Sequence, residues 1–88
     1  MAEENAYDMV VRAEIAIEIL DRARGIVTAR IHELEADDPV AAEDLRRRRL
    51  ELVDLQHAIH VNDRETVENV IATWSPRVND ESLFWREF

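Results

Sequence analysis

Four constellations hold the residues best equipped for chemistry. The first is Arg46-Arg47-Arg48-Arg49. Successive residues of a helix turn by about 100°, so four in a row spread around most of the circumference and form no single basic face. Nucleic-acid binding, which needs aligned cations to displace counterions, is a poor fit. Pairing with Glu43, Asp44 and Glu51 on the same segment is the expected use.

The second is Asp54, His57, His60 and Asp63, spaced three apart. His57 and His60 can share a helix face and hold a divalent metal with a carboxylate. Steps of three fall about 60° short of a full turn, so the outer carboxylates swing away from the pair. A polar face with titratable imidazoles is the expectation, and no metal or cofactor is assigned.

The third is a pair of arginines, Arg24 and Arg48, each filling a polar gap in an apolar stripe. A turn at 37–38 places Arg24 level with Glu51. A half-buried Arg24–Glu51 pair would specify register more than stability.

The fourth is aromatic. Trp74, Phe84, Trp85 and Phe88 all fall in the last fifteen residues, and Tyr7 is the remaining aromatic side chain. Tryptophan is enriched at the energetic centres of interfaces, so Trp74, Phe84, Trp85 and Phe88 are candidate partner-binding residues. The leading expectation for the segment itself is a tail folded back to cover the second stripe of helix one. Tyr7 meets Trp74 if helices one and two form a closed hairpin.

Catalytic signatures do not appear: there is no glycine-rich phosphate loop, nucleophile elbow or HExxH helix. An all-α dimeric enzyme with an arginine-lined anion pocket from Arg24 and Arg48 is the weakest of the three functional readings. Non-enzymatic protein–protein interaction, as a regulator, inhibitor or assembly factor, is the first. The second is mimicry of DNA by an acidic surface, centred on Glu3, Glu4, Asp8, Glu14, Glu18 and Asp21, against a nucleic-acid-binding complex such as a phage or mobile element would target.

The elements that position these residues are helical. Apolar residues at Ala6, Val10, Ala13, Ile17, Leu20, Val27, Ile31 and Leu34 step by three and four, as a heptad seam does. A second stripe, Val11, Ile15, Ile19, Ala23 and Ile26, runs beside it. Together they exceed what one partner helix covers. Val11, Ile15, Ile19 and Ile26 are therefore expected at a homo-oligomer interface, a dimer in the simplest case.

The chain reads as a helix over 5–36, a turn at 37–38 and a helix over 39–61. A third helix over 63–74 and an aromatic tail over 75–88 follow. Asp38 caps the second helix, with Pro39 at its first position, where a missing N–H costs nothing. Asn62 with Glu65 reads as a capping box for the third, Ser75-Pro76 as its break, and Asn79 as the cap of a last short turn. The expected fold is all-α: a long antiparallel helical hairpin, a shorter third helix and the tail, in one unit of 88 residues.

Composition narrows the partners. Twenty acids oppose eleven bases, all arginine, for a net charge of −9. Such a surface repels nucleic acid and anionic membranes alike. Cysteine is absent, so neither disulfides nor cysteine-based zinc can reinforce the small core. The start, Met1-Ala2-Glu3-Glu4-Asn5, lacks the basic region of a signal peptide, and a cytoplasmic location is expected. The expected partner is another protein, with no direct nucleic-acid or membrane contact.

Overall fold

The computed structural model describes residues 2–60 and 63–88, with side chains from Ala6 onward. Four helices follow one another: α1 (Ala2–Leu34), α2 (Pro39–His57), α3 (Arg64–Val78) and α4 (Glu81–Glu87). The fold is all-α. α1 is the spine. At 1.5 Å per residue it is about 50 Å long, which accounts for most of the 55 Å long axis of the molecule. The radius of gyration is 15.0 Å, against about 12 Å for a compact chain of this length.

α2 returns antiparallel to α1. Its start is built locally: the Asp38 side chain accepts from Ala41 N–H at 3.1 Å, and Pro39 opens the helix. Leu45 and Leu52 seat against α1 with Ala42. Arg49 reaches Thr28 at 2.8 Å and Gln56 reaches Asp21 at 2.8 Å, within two residues of the levels a turn at 37–38 sets. α2 stops at His57 rather than continuing to residue 61. It is therefore much shorter than α1 and ends beside the middle of the spine.

α3 runs parallel to α1. Asp8 pairs with Arg64 at 2.8 Å, Arg12 with Glu68 at 2.7 Å, and Arg22 reaches the Val78 carbonyl at 3.4 Å. All three contacts join residues 56 apart in sequence, and a constant offset is the mark of parallel, in-step helices. The cap of α3 is Asp63, which accepts from Thr66 N–H at 3.1 Å and from the Thr66 hydroxyl at 2.7 Å. The expected cap, Asn62, lies outside the described residues. α3 does not end at Trp74. Pro76 lies inside it, and its missing N–H forgoes one backbone hydrogen bond. The last turn is tied instead by side chains: Asn79 donates to the Ser75 carbonyl at 2.9 Å, and Arg22 donates to Asn79 Oδ1 at 3.2 Å.

The last short turn expected near the end of the chain is a seven-residue helix, α4. Asp80, rather than Asn79, caps α4 by accepting from Leu83 N–H at 3.3 Å. Asn79 closes α3.

One core joins these elements. It runs along α1 through Ala13, Ala16, Ile19, Leu20, Ala23, Val27 and Ile31. Ala42, Leu45 and Leu52 of α2, Val67, Val70 and Val78 of α3, and Phe84 of α4 complete it. Alanines on the spine let α2 and α3 approach it closely. No polar side chain among the described residues is buried, and no described helix is long and apolar enough to cross a membrane.

Candidate functional site

Phe84 organises the carboxy-terminal end. It is fully buried, with ring centroids 5.1 Å from Trp85, 5.2 Å from Phe88 and 6.1 Å from Trp74. The Trp85 and Phe88 rings meet edge to face at 6.0 Å, the arrangement the ring quadrupole favours. Phe84 itself is core and is not available as a docking residue. The three rings around it are half-buried.

Two guanidiniums roof the cluster. Arg48 lies 4.3 Å above the Phe88 ring and Arg77 lies 4.7 Å above Trp74, both within the range of cation–π attraction. The four-arginine run thus disperses. Arg46 bonds Glu35 at 2.9 Å and Glu43 at 3.1 Å. Arg47 stands 3.9 Å from Asp44, Arg48 covers Phe88, and Arg49 bonds Thr28. The sequence expectation that these residues form no common basic face matches this placement.

A cleft opens where α2 and α3 both pack on the spine but splay from each other. One section, about 280 Å³, is lined by Leu55, Thr66, Asn69, Val70, Thr73 and Trp74. The next, about 390 Å³, shares Leu55 and Trp74 and adds Leu52, Phe88, Glu51, Arg77 and Glu87. The floor is apolar and aromatic. The rim is uncharged at one end and carries both signs of charge at the other. Trp85 faces a different hollow, with Arg30, Glu33 and Glu81.

The Arg24–Glu51 pair does not form. Arg24 donates to Gln56 Oε1 at 2.9 Å and lies 3.5 Å from Asp21. Its Nε is buried without a partner. Glu51 is exposed and sits on the cleft rim. The reason is azimuthal: Leu52 is buried, and its neighbour is turned by about 100° toward solvent. Gln56 takes the role instead, bonding Arg24, Asp21 and the Ile17 carbonyl.

Of the expected oligomer residues, Ile19 is in the core, and Ile15 and Ile26 are partly buried against it. Val11 is half-buried. Arg12 and Arg22 lie on the same side of α1 as this stripe, and both are bonded to α3 or its end. The apolar side chains that α1 does expose belong to the first stripe and its edge. Tyr7 is 75% exposed, Val10 40% and Ile17 37%. Tyr7 accordingly does not meet Trp74. A chain that doubles back twice brings α3 to α1 in parallel, so Trp74 lies well along the spine from Tyr7.

Electrostatics concentrate at the α1–α3 seam. The bidentate bond from Arg12 holds the Glu68 carboxyl below its ordinary range. The two hydrogen bonds from Thr66 do the same for Asp63. His57 and His60 are exposed, and no group of three or more metal-ligating side chains gathers among the described residues.

Comparison of the chain with protein-family models, with curated proteins and with solved structures gives no match.

Proposed function

We propose that this chain is a small acidic protein–protein interaction module without catalytic activity. It acts as a regulator, inhibitor or assembly factor in the cytoplasm. The observation that carries the reading is the α2–α3 cleft. Two helices lie side by side on a third, with an apolar floor of Leu55, Val70, Trp74 and Phe88. Amphipathic helices dock in grooves of this kind through residues spaced three and four apart. Trp74 and Phe88 supply rigid contact area at low entropic cost, and Arg77 and Arg48, stacked on them, are held ready for a partner's carboxylates.

The test is partner capture from the native host by crosslinking and quantitative mass spectrometry. Thr73 is exposed on the rim, so Thr73→Arg fills the cleft without entering the core. Leu50→Arg, on the outer face of α2, is the control. A partner lost with Thr73→Arg and kept with Leu50→Arg supports the reading. Identical capture by both variants overturns the cleft as the docking surface. A basic DNA-binding partner whose capture instead depends on Glu14 and Glu18 would replace docking with mimicry of DNA.

A further inference from the structure

The spine carries a second seam that its own chain leaves open. Tyr7, Val10, Glu14, Ile17 and Asp21 follow one another in steps of three and four, the spacing of a coiled-coil contact line. It spans about 21 Å of helix at 1.5 Å per residue. Val10 and Ile17 also belong to the first stripe, whose later members Leu20, Val27 and Ile31 are buried. α2 ends at His57, beside Asp21, so the stripe continues beyond the helix that would have covered it. Three apolar side chains, Tyr7, Val10 and Ile17, are left 75%, 40% and 37% exposed on this line.

The exposed charges along the line itself are acidic, and Arg24 closes its far end beside Asp21. Glu14 lies between Val10 and Ile17, Asp21 follows, and Glu18 flanks; all three are exposed. Asp21 is engaged by Gln56 and Arg24, whereas no described cation neutralises Glu14 or Glu18.

We infer that this face of α1 receives a basic amphipathic helix of another protein. The reading rests on the chain being an interaction module and adds a second surface to it. A second copy of this chain does not fit. Pairing the seam with itself in parallel sets Glu14 against Glu14 and Asp21 against Asp21. Antiparallel pairing centred on Glu14 again joins two carboxylates, and a shift by one layer that separates them places each against Val10 or Ile17. Carboxylates opposed across a contact line repel and lose water without compensation. A helix with leucine-like knobs and lysine or arginine facing Glu14 and Glu18 satisfies both parts of the seam, and the net charge of −9 steers it in.

The probe is a synthetic helix of about 18 residues, long enough to follow all five positions of the seam, with leucine at the contact positions and lysine elsewhere. A glutamate version is the comparator. Binding is read by calorimetry against the full chain. The lysine helix should bind, weaken with salt, and lose about tenfold in affinity, or about 1.4 kcal/mol, for Ile17→Asn and for Val10→Asn. Neither substitution alters charge, and melting curves check the fold of each. Leu50→Asn, an exposed leucine elsewhere, should change affinity by less than about twofold. Glu14→Gln should reduce the salt dependence.

Three results overturn the inference. The lysine helix does not bind; it binds both asparagine variants as well as the parent, which marks mere charge attraction; or the chain forms a dimer that Ile17→Asn dissociates. None of these depends on Thr73, so the cleft reading stands or falls separately.

Discussion

Replacing Phe84 by alanine removes a ring that touches Trp74, Trp85 and Phe88 and has no exposure to solvent. Loss of a buried aromatic costs about 3–5 kcal/mol. Small domains have about 5–15 kcal/mol in all, so Phe84→Ala should bring the chain near the edge of folding, as urea denaturation followed by circular dichroism would measure. Trp85→Ala, at a half-buried site, should cost clearly less. Gly25 offers the opposite change. It lies exposed within α1, and an added Cβ would meet nothing within 4 Å. Gly25→Ala should stabilise by about 0.5–1 kcal/mol, because glycine loses the most backbone freedom on entering a helix. A denaturation midpoint unchanged or lowered would contradict the open surroundings of that position. Arg24 is a subtler case. Its guanidinium is held by Gln56 and Asp21 while Nε lacks a partner, so Glu51→Leu should not couple to Arg24→Met, whereas Gln56→Leu should. A double-mutant cycle separates the two pairings.

At the scale of elements, α3 depends on ionised carboxylates. Glu68 and Asp63 both titrate below the ordinary carboxylate range, the first because of Arg12 and the second because of Thr66. A depressed folded value means the contribution to stability is fully present above the unfolded value, about 4, and is lost as pH falls through the lower folded value. Arg12 stays charged throughout. The melting temperature should therefore be level near neutrality and fall progressively below about pH 4.5. Glu68→Gln should make that descent shallower. The pair is partly exposed, at 36% and 41%, so the step is modest. Equal acid slopes for the parent and Glu68→Gln would show that the seam contributes nothing to stability.

At the scale of the whole molecule, the tail acts as a clamp. α4 follows α3 after a two-residue link, and it places Phe88 under Arg48 of α2 and Trp85 beside Arg30 and Glu33 of α1. It thus touches α2 through Phe88 and faces α1 across a hollow through Trp85. Deleting residues 79–88 removes Phe84, Trp85 and Phe88 together. The melting temperature should drop by more than about 10 °C, since the lost ring alone is worth several kcal/mol and each shifts the midpoint by about 4–8 °C. An unchanged melt would return the tail to the role of a free anchor. The elongated shape follows from the same layout. A short α2 and a parallel α3 cover different stretches of one long spine, which leaves the cleft between them and the open seam near Tyr7.

The local devices were legible in the sequence by itself, because they depend on neighbours along the chain. Asp38 before Pro39 announced the start of α2. The three-and-four spacing of the first stripe announced α1, and the turning of four consecutive arginines excluded a basic face. The all-α class followed from the same periodicity. What required the tertiary structure was everything set by which face meets which. The second stripe of α1 called for cover, but periodicity does not say whether a helix of the same chain or of another supplies it. Ile19 is buried within the chain and Ile15 packs on the same core, with α3 tied along that side of α1 by Arg12 and Arg22. The partner of Arg24 changed from Glu51 to Gln56 because azimuth, fixed by the burial of Leu52, outweighs level along the hairpin. Pro76 stayed inside α3 because tertiary contacts from Arg22 hold the last turn. The aromatic tail became core around Phe84 for a similar reason. A segment too short to be helical alone is ordered by the apolar surface it covers, and that surface exists only once α1, α2 and α3 have assembled.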